Sequence, residues 1–237
     1  MIPKIIHYCW FGRGEMPELA QKCIESWHKF MPDYEYKFWN EDNFDVNGVP
    51  YTKEAYETGK YAFVSDYVRL KALNEFGGVY MDVDFEVFKP FDELLTHKAF
   101  AGFEGSKHSP LMMGVIASEA GGEWVCEQLT AYDGRHFIFN GRMDLTTNVK
   151  FASSIMSSNG FIQNGKEQDY KDLHVFPVEF FCPRQTTGEY FKTDNTYCDH
   201  KGCDSSWAPK STKDRILRLF SPKAQTRLIK IKRKLIG

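Results

Sequence analysis

Residues 77–87 read GGVYMDVDFEV, and they follow a 17-residue run, KYAFVSDYVRLKALNEF, with helical apolar spacing. Ala62, Phe63, Val68 or Tyr67, Leu70, Leu73 and Phe76 give that run its stripe, so a helix over 60–76 is expected. Gly77 and Gly78 stop it in the manner of a C-terminal cap. The next residues read as an apolar strand, so the unit is helix, Gly-Gly, strand. If the strand runs through to Val87, then Val79, Met81 and Val83 share one face. Tyr80, Asp82, Asp84 and Glu86 then share the other. Carboxylates two residues apart on one face stand about 6.5–7 Å apart and repel each other. Asp is depleted in strands. A divalent cation resolves the conflict, because hard ions such as Mn²⁺ or Mg²⁺ take one or two carboxylates and complete their shell with water and phosphate oxygens.

The start of the chain fits the same architecture. PKIIHYCWF is rich in strand formers and is broken by Gly12 and Gly14. PELAQKCIESWHKFM has apolar spacing near that of a helix, with Pro17 in its first turn and Pro32 just past its end. YEYKFWN alternates as a second strand. A βαβ beginning favours an α/β sheet with a right-handed crossover. Beyond residue 100 the periodicity weakens and Gly, Asn and Ser breaks multiply, so short elements and loops are expected.

Two phosphate chemistries begin with D-x-D on an apolar strand. One is nucleotide-sugar transfer, where the pair holds a cation on a diphosphate. The other is a metal-dependent phosphatase of the haloacid-dehalogenase type, D-x-D-x-[TV], with the first Asp as nucleophile. Glu86 occupies the position of that last Thr or Val, and the motif is not on the first strand. A phosphate loop is excluded in GFEGSK by its spacing.

The pattern SDYVRLKALNEFGGVYMDVD resembles glycosyltransferase family 32, which includes bacterial capsular-polysaccharide and lipopolysaccharide sugar transferases and a yeast initiating mannosyltransferase, and is related to clostridial toxin glucosyltransferase domains. Ser65, Asp66, Arg69, Gly77, Gly78, Tyr80, Asp82 and Asp84 carry the resemblance, and IPKIIHYCWFG is similar to the family's opening strand. The resemblance implies a GT-A-like α/β fold, a mixed nucleotide-sugar-binding sheet flanked by helices. It implies a retaining, metal-dependent transferase using a UDP-hexose or similar donor and a glycan or lipid-linked oligosaccharide acceptor in cell-surface polysaccharide synthesis. By the same resemblance Trp10 stacks on the base, and Ser65 and Tyr80 belong to the donor site. Asp66 and Arg69 bind donor sugar hydroxyls, Asp82 touches ribose, sugar or metal, and Asp84 binds the metal. HVFPVEFFCPRQ and CDHKGCDSSWAP resemble later family segments, making His200 a candidate ligand and Ser206 and Trp207 candidate diphosphate contacts. The family's T-G-P before a late helix is replaced here by Thr147, Asn148 and Val149. A glycan-binding protein without turnover is the non-enzymatic alternative.

Charge is divided along the chain. Residues 210–237 hold ten Lys or Arg and one Asp, and the preceding 209 residues hold 20 bases and 31 acids. The expected organisation is a catalytic domain over 1–209 and a basic amphipathic helical tail over 210–237. Such a tail reads as a membrane-surface element, each cation contributing about 1 kcal/mol near an anionic leaflet. Nothing points to nucleic acid. No stretch of about 18 apolar residues is present, and the opening residues lack a signal-peptide pattern. The six scattered cysteines are therefore expected as reduced thiols, in a cytoplasmic protein on the inner face of the membrane.

Overall fold

The computed structural model describes residues 1–105, 110–184 and 190–202. Strand β1 (Ile5–Cys9) leads through helix α1 (Glu18–Phe30) to β2 (Glu35–Trp39), and the two strands pair in parallel, as the βαβ reading requires. Helices α2 (Pro50–Glu57) and α3 (Tyr61–Phe76) follow, then β3 (Gly78–Met81) and β4 (Phe85–Val87). The remainder is β5 (Ala99–Gly102), β6 (Val115–Ser118), α4 (Glu123–Thr130), β7 (Ile138–Phe139), β8 (Arg142–Met143), α5 (Asn148–Ser158), β9 (Gln168–Tyr170), β10 (Leu173–Phe176) and β11 (Cys198–His200).

Seven strands form one sheet in the order β2-β1-β3-β6-β5-β10-β9. Strands β2, β1, β3, β5 and β10 run one way; β6 and β9 run the other. The expected class, a mixed sheet flanked by helices, is the observed one. One face packs Tyr80, Ile116, Ala101 and Val175 against the side of α2, α3 and α4. The other packs Ile6, Val79, Met81 and Phe100 with Trp27 of α1. Among the described residues no helix is long and apolar enough to cross a membrane, and the five described cysteines are free thiols.

The single long strand expected over 77–87 is divided in two. Residues 78–81 do alternate faces, but β3 ends at Met81 and the chain turns through Asp82–Asp84, where the Phe85 N–H donates to the Asp82 carbonyl at 3.2 Å. Then β4 leaves the main sheet and pairs antiparallel with β11. Asp residues favour a turn over a ladder, because the short carboxylate competes with the backbone for hydrogen bonds. The two aspartates thus stand on a turn, not along one strand face.

Both ends of this turn are clamped. On its N-terminal side, α3 closes at Gly77 (φ 65°), whose N–H donates to the Leu73 carbonyl at 2.9 Å. Gly78 has φ 108°, and a Cβ there would stand 2.6 Å from the Ile5 carbonyl oxygen, so only glycine fits beneath β1. His7 locks this crossing. An indole N–H only donates, so the Trp39 Nε1 contact at 3.1 Å makes His7 Nδ1 the acceptor, and Nε2 donates to the Gly77 carbonyl at 2.8 Å. On the C-terminal side, Trp27 Nε1 donates to the Phe85 carbonyl at 2.6 Å, and the Val87 N–H donates to Ser26 Oγ at 2.9 Å.

His7 is fully buried, and burial lowers its pKa to about 4. The fold holds the neutral ring while the unfolded chain takes a proton near 6.5. Its contribution to stability is therefore complete above about pH 6.5 and is lost as pH falls toward 4. Replacing His7 by Phe orphans the Gly77 carbonyl and the Trp39 N–H, and should cost about 2–4 kcal/mol. Urea melts of wild type and His7→Phe across this window should show the loss at pH 7 and a flatter pH dependence in the variant.

Candidate active site

The C-terminal ends of the like-directed strands form one edge of the sheet, where ligands bind in α/β folds. A cleft of about 880 Å³ opens there. Trp10 lies one residue past β1 and Asp82 one past β3; α3 adds Ser65, Asp66 and Arg69, and β11 adds His200. These side chains, with Tyr80 and Asp84, all line the cleft. Ser206 and Trp207 lie outside the described residues, as do the tail over 210–237 and Cys203.

Arg69 and Asp66 are buried, at 4% and 7% exposure, so the pair is not a surface ion pair. The guanidinium has five N–H groups and five partners. Nε donates to the Ser65 carbonyl at 3.2 Å; Nη1 reaches the Met113 carbonyl at 2.5 Å and Asp82 Oδ2 at 3.4 Å. Nη2 donates to Asp66 Oδ1 at 2.9 Å and pairs with Asp82 Oδ1 at 3.4 Å. The cation also sits 4.5 Å from the centroid of the Tyr80 ring. In this arrangement Arg69 is committed to holding two carboxylates in place.

Tyr80 is 1% exposed beneath the cleft, and its hydroxyl donates to Asp82 Oδ1 at 2.7 Å. It supports Asp82 from below. Burial raises the pKa of Asp66 to about 7 against the pull of Arg69. Burial likewise pushes Asp82 up, opposed by Arg69. Trp10 is half-buried, and its Nε1 donates to the Gly14 carbonyl at 2.7 Å, which fixes the indole plane on the cleft wall. Ser65 is half-buried, its hydroxyl turned to the Tyr61 carbonyl at 3.4 Å.

Pairing of β11 with β4 sets His200 opposite Phe85 in register, and the two rings stack at 4.6 Å. His200 Nε2 thereby meets Asp84 Oδ2 at 3.0 Å. Burial disfavours the imidazolium, but hydrogen bonds with Asp84 and Cys182 outweigh it and lift the pKa to about 11. Two carboxylates and an imidazole facing the cleft are a donor set that suits Mn²⁺ or Mg²⁺ in type. Among the described residues no three His, Cys, Asp or Glu side chains are gathered as a ready-made metal cage. Ligation through His200 needs the neutral ring, so a cation and a proton compete for it.

Glu86, which follows the D-x-D pair, turns aside and pairs with Lys201 at 2.7 Å. The cleft also takes in residues without an assigned role from the sequence: Glu104, Pro110 and Met112. Thr147, Asn148 and Val149, noted only as a departure from a family pattern, line it with Lys150 at the start of α5, where Thr147 Oγ1 caps the helix by accepting from the Lys150 N–H. Only a strand end followed by a lone acid could have flagged Glu104, and that signal is common.

Residues 17–101 match the family model described as the glycosyltransferase sugar-binding region containing DXD motif. The match spans 85 of the 237 residues and takes in Ser65, Asp66, Arg69, Asp82 and Asp84. The resemblance read from Ser65 to Asp84 is borne out by this match, which favours sugar binding over the phosphatase reading of the same motif. Within related proteins, the chain is 35% identical over 106 residues to inositol phosphoceramide mannosyltransferase 3 of Schizosaccharomyces pombe, covering 42% of this chain and 29% of that protein. It is 33% identical over 119 residues to a mannosyl phosphorylinositol ceramide synthase of Saccharomyces cerevisiae, covering 47% and 29%. The chain thus spans under a third of the length of these curated relatives. Among solved structures, PaToxG glycosyltransferase aligns with a TM-score of 0.48 at 16% identity, covering 67% of this chain and 70% of that one.

Within the matched segment, removing the Arg69 charge leaves Asp66 and Asp82 without their cation in a buried site. Arg69→Met should destabilise the fold by about 3–5 kcal/mol, read by chemical denaturation. Retention of wild-type stability would mean that the two carboxylates do not depend on this guanidinium.

Proposed function

We propose that the chain is a retaining hexosyltransferase that moves a sugar from a nucleotide-sugar donor, a UDP-hexose, to a hydroxyl of a glycan or lipid-linked oligosaccharide in cell-surface polysaccharide synthesis. The observation that carries this reading is the Arg69-held pair Asp66 and Asp82, set beside Asp84–His200 at the strand-end edge. In the proposed complex Trp10 stacks on the base. Asp66 and Asp82 accept hydrogen bonds from donor sugar hydroxyls or ribose, with Arg69 and Tyr80 fixing their positions. Asp82, Asp84 and His200 would hold Mn²⁺ or Mg²⁺, which supplies Lewis-acid neutralisation of the leaving diphosphate. As the bond from C1 to the diphosphate oxygen breaks, negative charge builds on that oxygen, so fixed positive charge lowers the barrier. Ser206 and Trp207 are proposed diphosphate contacts on sequence alone.

The relatives named as inositol phosphoceramide mannosyltransferases support including a mannose donor and an inositol phosphoceramide acceptor among the candidates. A thermal-shift panel of UDP- and GDP-sugars with Mn²⁺ therefore tests the reading. A donor at 100 times its Kd should stabilise the protein by about 2.7 kcal/mol by mass action. Asp84→Asn should lose most of that gain and its Mn²⁺-dependent donor hydrolysis. Absence of stabilisation and hydrolysis with every donor would overturn the reading. Binding without any hydrolysis would favour a glycan-binding protein.

Membrane attachment on the cytoplasmic side through the basic tail belongs to the same proposal, supported by the charge of residues 210–237. Anionic phospholipid vesicles should retain the full chain at about 0.1 M salt and release it at about 1 M. Equal recovery in both would count against it.

A further inference from the structure

The cleft contains a carboxylate that the donor site does not use. Glu104 lies two residues past β5, on the edge where Trp10 follows β1 and Asp82 follows β3. In the sheet order β1-β3-β6-β5, the antiparallel β6 separates β5 from β3. A ligand running along this edge thus meets Trp10, then Asp82, then Glu104. If the base sits at Trp10 and the sugar at Asp82, Glu104 is beyond the sugar, on the side a second substrate must enter.

The backbone of Glu104 is fixed. Its N–H donates to the Pro110 carbonyl at 3.0 Å, the Phe103 N–H donates to the Phe176 carbonyl at 3.0 Å, and the Met112 N–H reaches the Gly102 carbonyl at 2.8 Å. The Leu111 N–H donates to Ser153 Oγ at 2.9 Å, tying this wall to α5, whose first residues line the same cleft. The side chain, by contrast, makes no hydrogen bond or ion pair among the described residues. Arg69, the buried cation of the cleft, has all five N–H groups committed elsewhere. A half-buried carboxylate without protein donors is costly unless a ligand or water supplies them. Burial pushes this carboxyl up, while His200 draws it down. A polyhydroxylated molecule provides what is missing: neutral O–H donors that can pair with one or both carboxylate oxygens.

We propose that Glu104 is the acceptor-binding carboxylate of this cleft, receiving hydrogen bonds from hydroxyls of a sugar or polyol acceptor and orienting it toward the donor sugar. The assignment rests on the sugar-transfer reading above. Its role is to bind and orient, so it affects transfer to an acceptor far more than donor binding or donor hydrolysis by water.

The test uses the full chain with Mn²⁺ and the donor that stabilises it. Donor Kd comes from calorimetry, hydrolysis from nucleotide release, and transfer from p-nitrophenyl glycosides of mannose, galactose and glucose. For Glu104→Gln, donor Kd and hydrolysis should stay near wild type. Transfer should fall by about 20-fold, chiefly through a raised acceptor KM, the size expected for hydrogen bonds to a charged group. Glu104→Asp keeps the charge and should recover part of the loss; matching melting curves show that both variants fold. The proposal is overturned if transfer is unchanged, or if donor Kd weakens as it does in Asp84→Asn. Loss of hydrolysis together with kcat at constant KM would also overturn it, marking a proton-transfer role instead. Donor hydrolysis by wild type without transfer to any of the three glycosides counts against it as well. Absence of donor binding by wild type would instead strike the sugar-transfer reading itself.

Discussion

A buried guanidinium organises the cleft. Arg69 spends every N–H on the protein: two carboxylates, two carbonyls and a further contact to Asp82. Burying such a cation alone would be prohibitive, and so would burying Asp66 and Asp82 alone. Together they are tolerated, and the geometry of each depends on the others. Tyr80 closes the arrangement by giving its ring to Arg69 and its hydroxyl to Asp82. The S-D-x-x-R spacing therefore has a structural logic. At i and i+3 on α3, Asp66 and Arg69 share a face, and that face is turned to the strand that delivers Asp82.

The turn carrying Asp82 and Asp84 is held from both sides of the sheet. His7 and Gly78 fix its approach under β1, and Trp27 and Ser26 fix its departure along α1. These are hydrogen bonds between elements distant in sequence, and they place the two carboxylates before any ligand arrives. Preorganisation of this kind reduces the ordering that binding must otherwise impose. It also explains why a histidine in the first strand, far from any chemistry, matters to the cleft.

Much of this was legible in the sequence because it rests on local rules. The helix over 60–76 and its glycine stop follow from periodicity and capping, and the structure gives Tyr61–Phe76 with Gly77 at positive φ. The first strand, first helix and second strand follow from the same rules. The end of β3 was not legible, because V-Y-M-D-V-D-F-E-V keeps strand alternation while its hydrogen bonds do not; the turn is decided by Trp27 and by β11, over a hundred residues later. Burial of the Asp66–Arg69 pair depends on contacts outside α3, with the Tyr80 ring, Asp82 and the Met113 carbonyl, and PYTKEAYE, which forms the neighbouring α2, leaves little apolar signal. Glu104 belongs to no motif. Only the sheet order reveals that it shares an edge with Trp10 and Asp82.

Charge is the remaining constraint on what the cleft can hold. Among its described lining residues are four carboxylates, Asp66, Asp82, Asp84 and Glu104, against Arg69, His200 and the exposed Lys150. Arg69 is shared between Asp66 and Asp82, and His200 answers Asp84 only while it carries a proton. A nucleotide diphosphate entering this field meets like charge, and repulsion at close range in a partly dry cleft amounts to several kcal/mol. A divalent cation at Asp82, Asp84 and His200 would exchange the His200 proton for two positive charges and turn the same wall attractive. Glu104 stands further along the same edge, two residues past β5, where neutral hydroxyls can reach it. On this account the cleft has two electrostatic halves, one that needs a cation to accept an anion and one that needs none to accept a polyol.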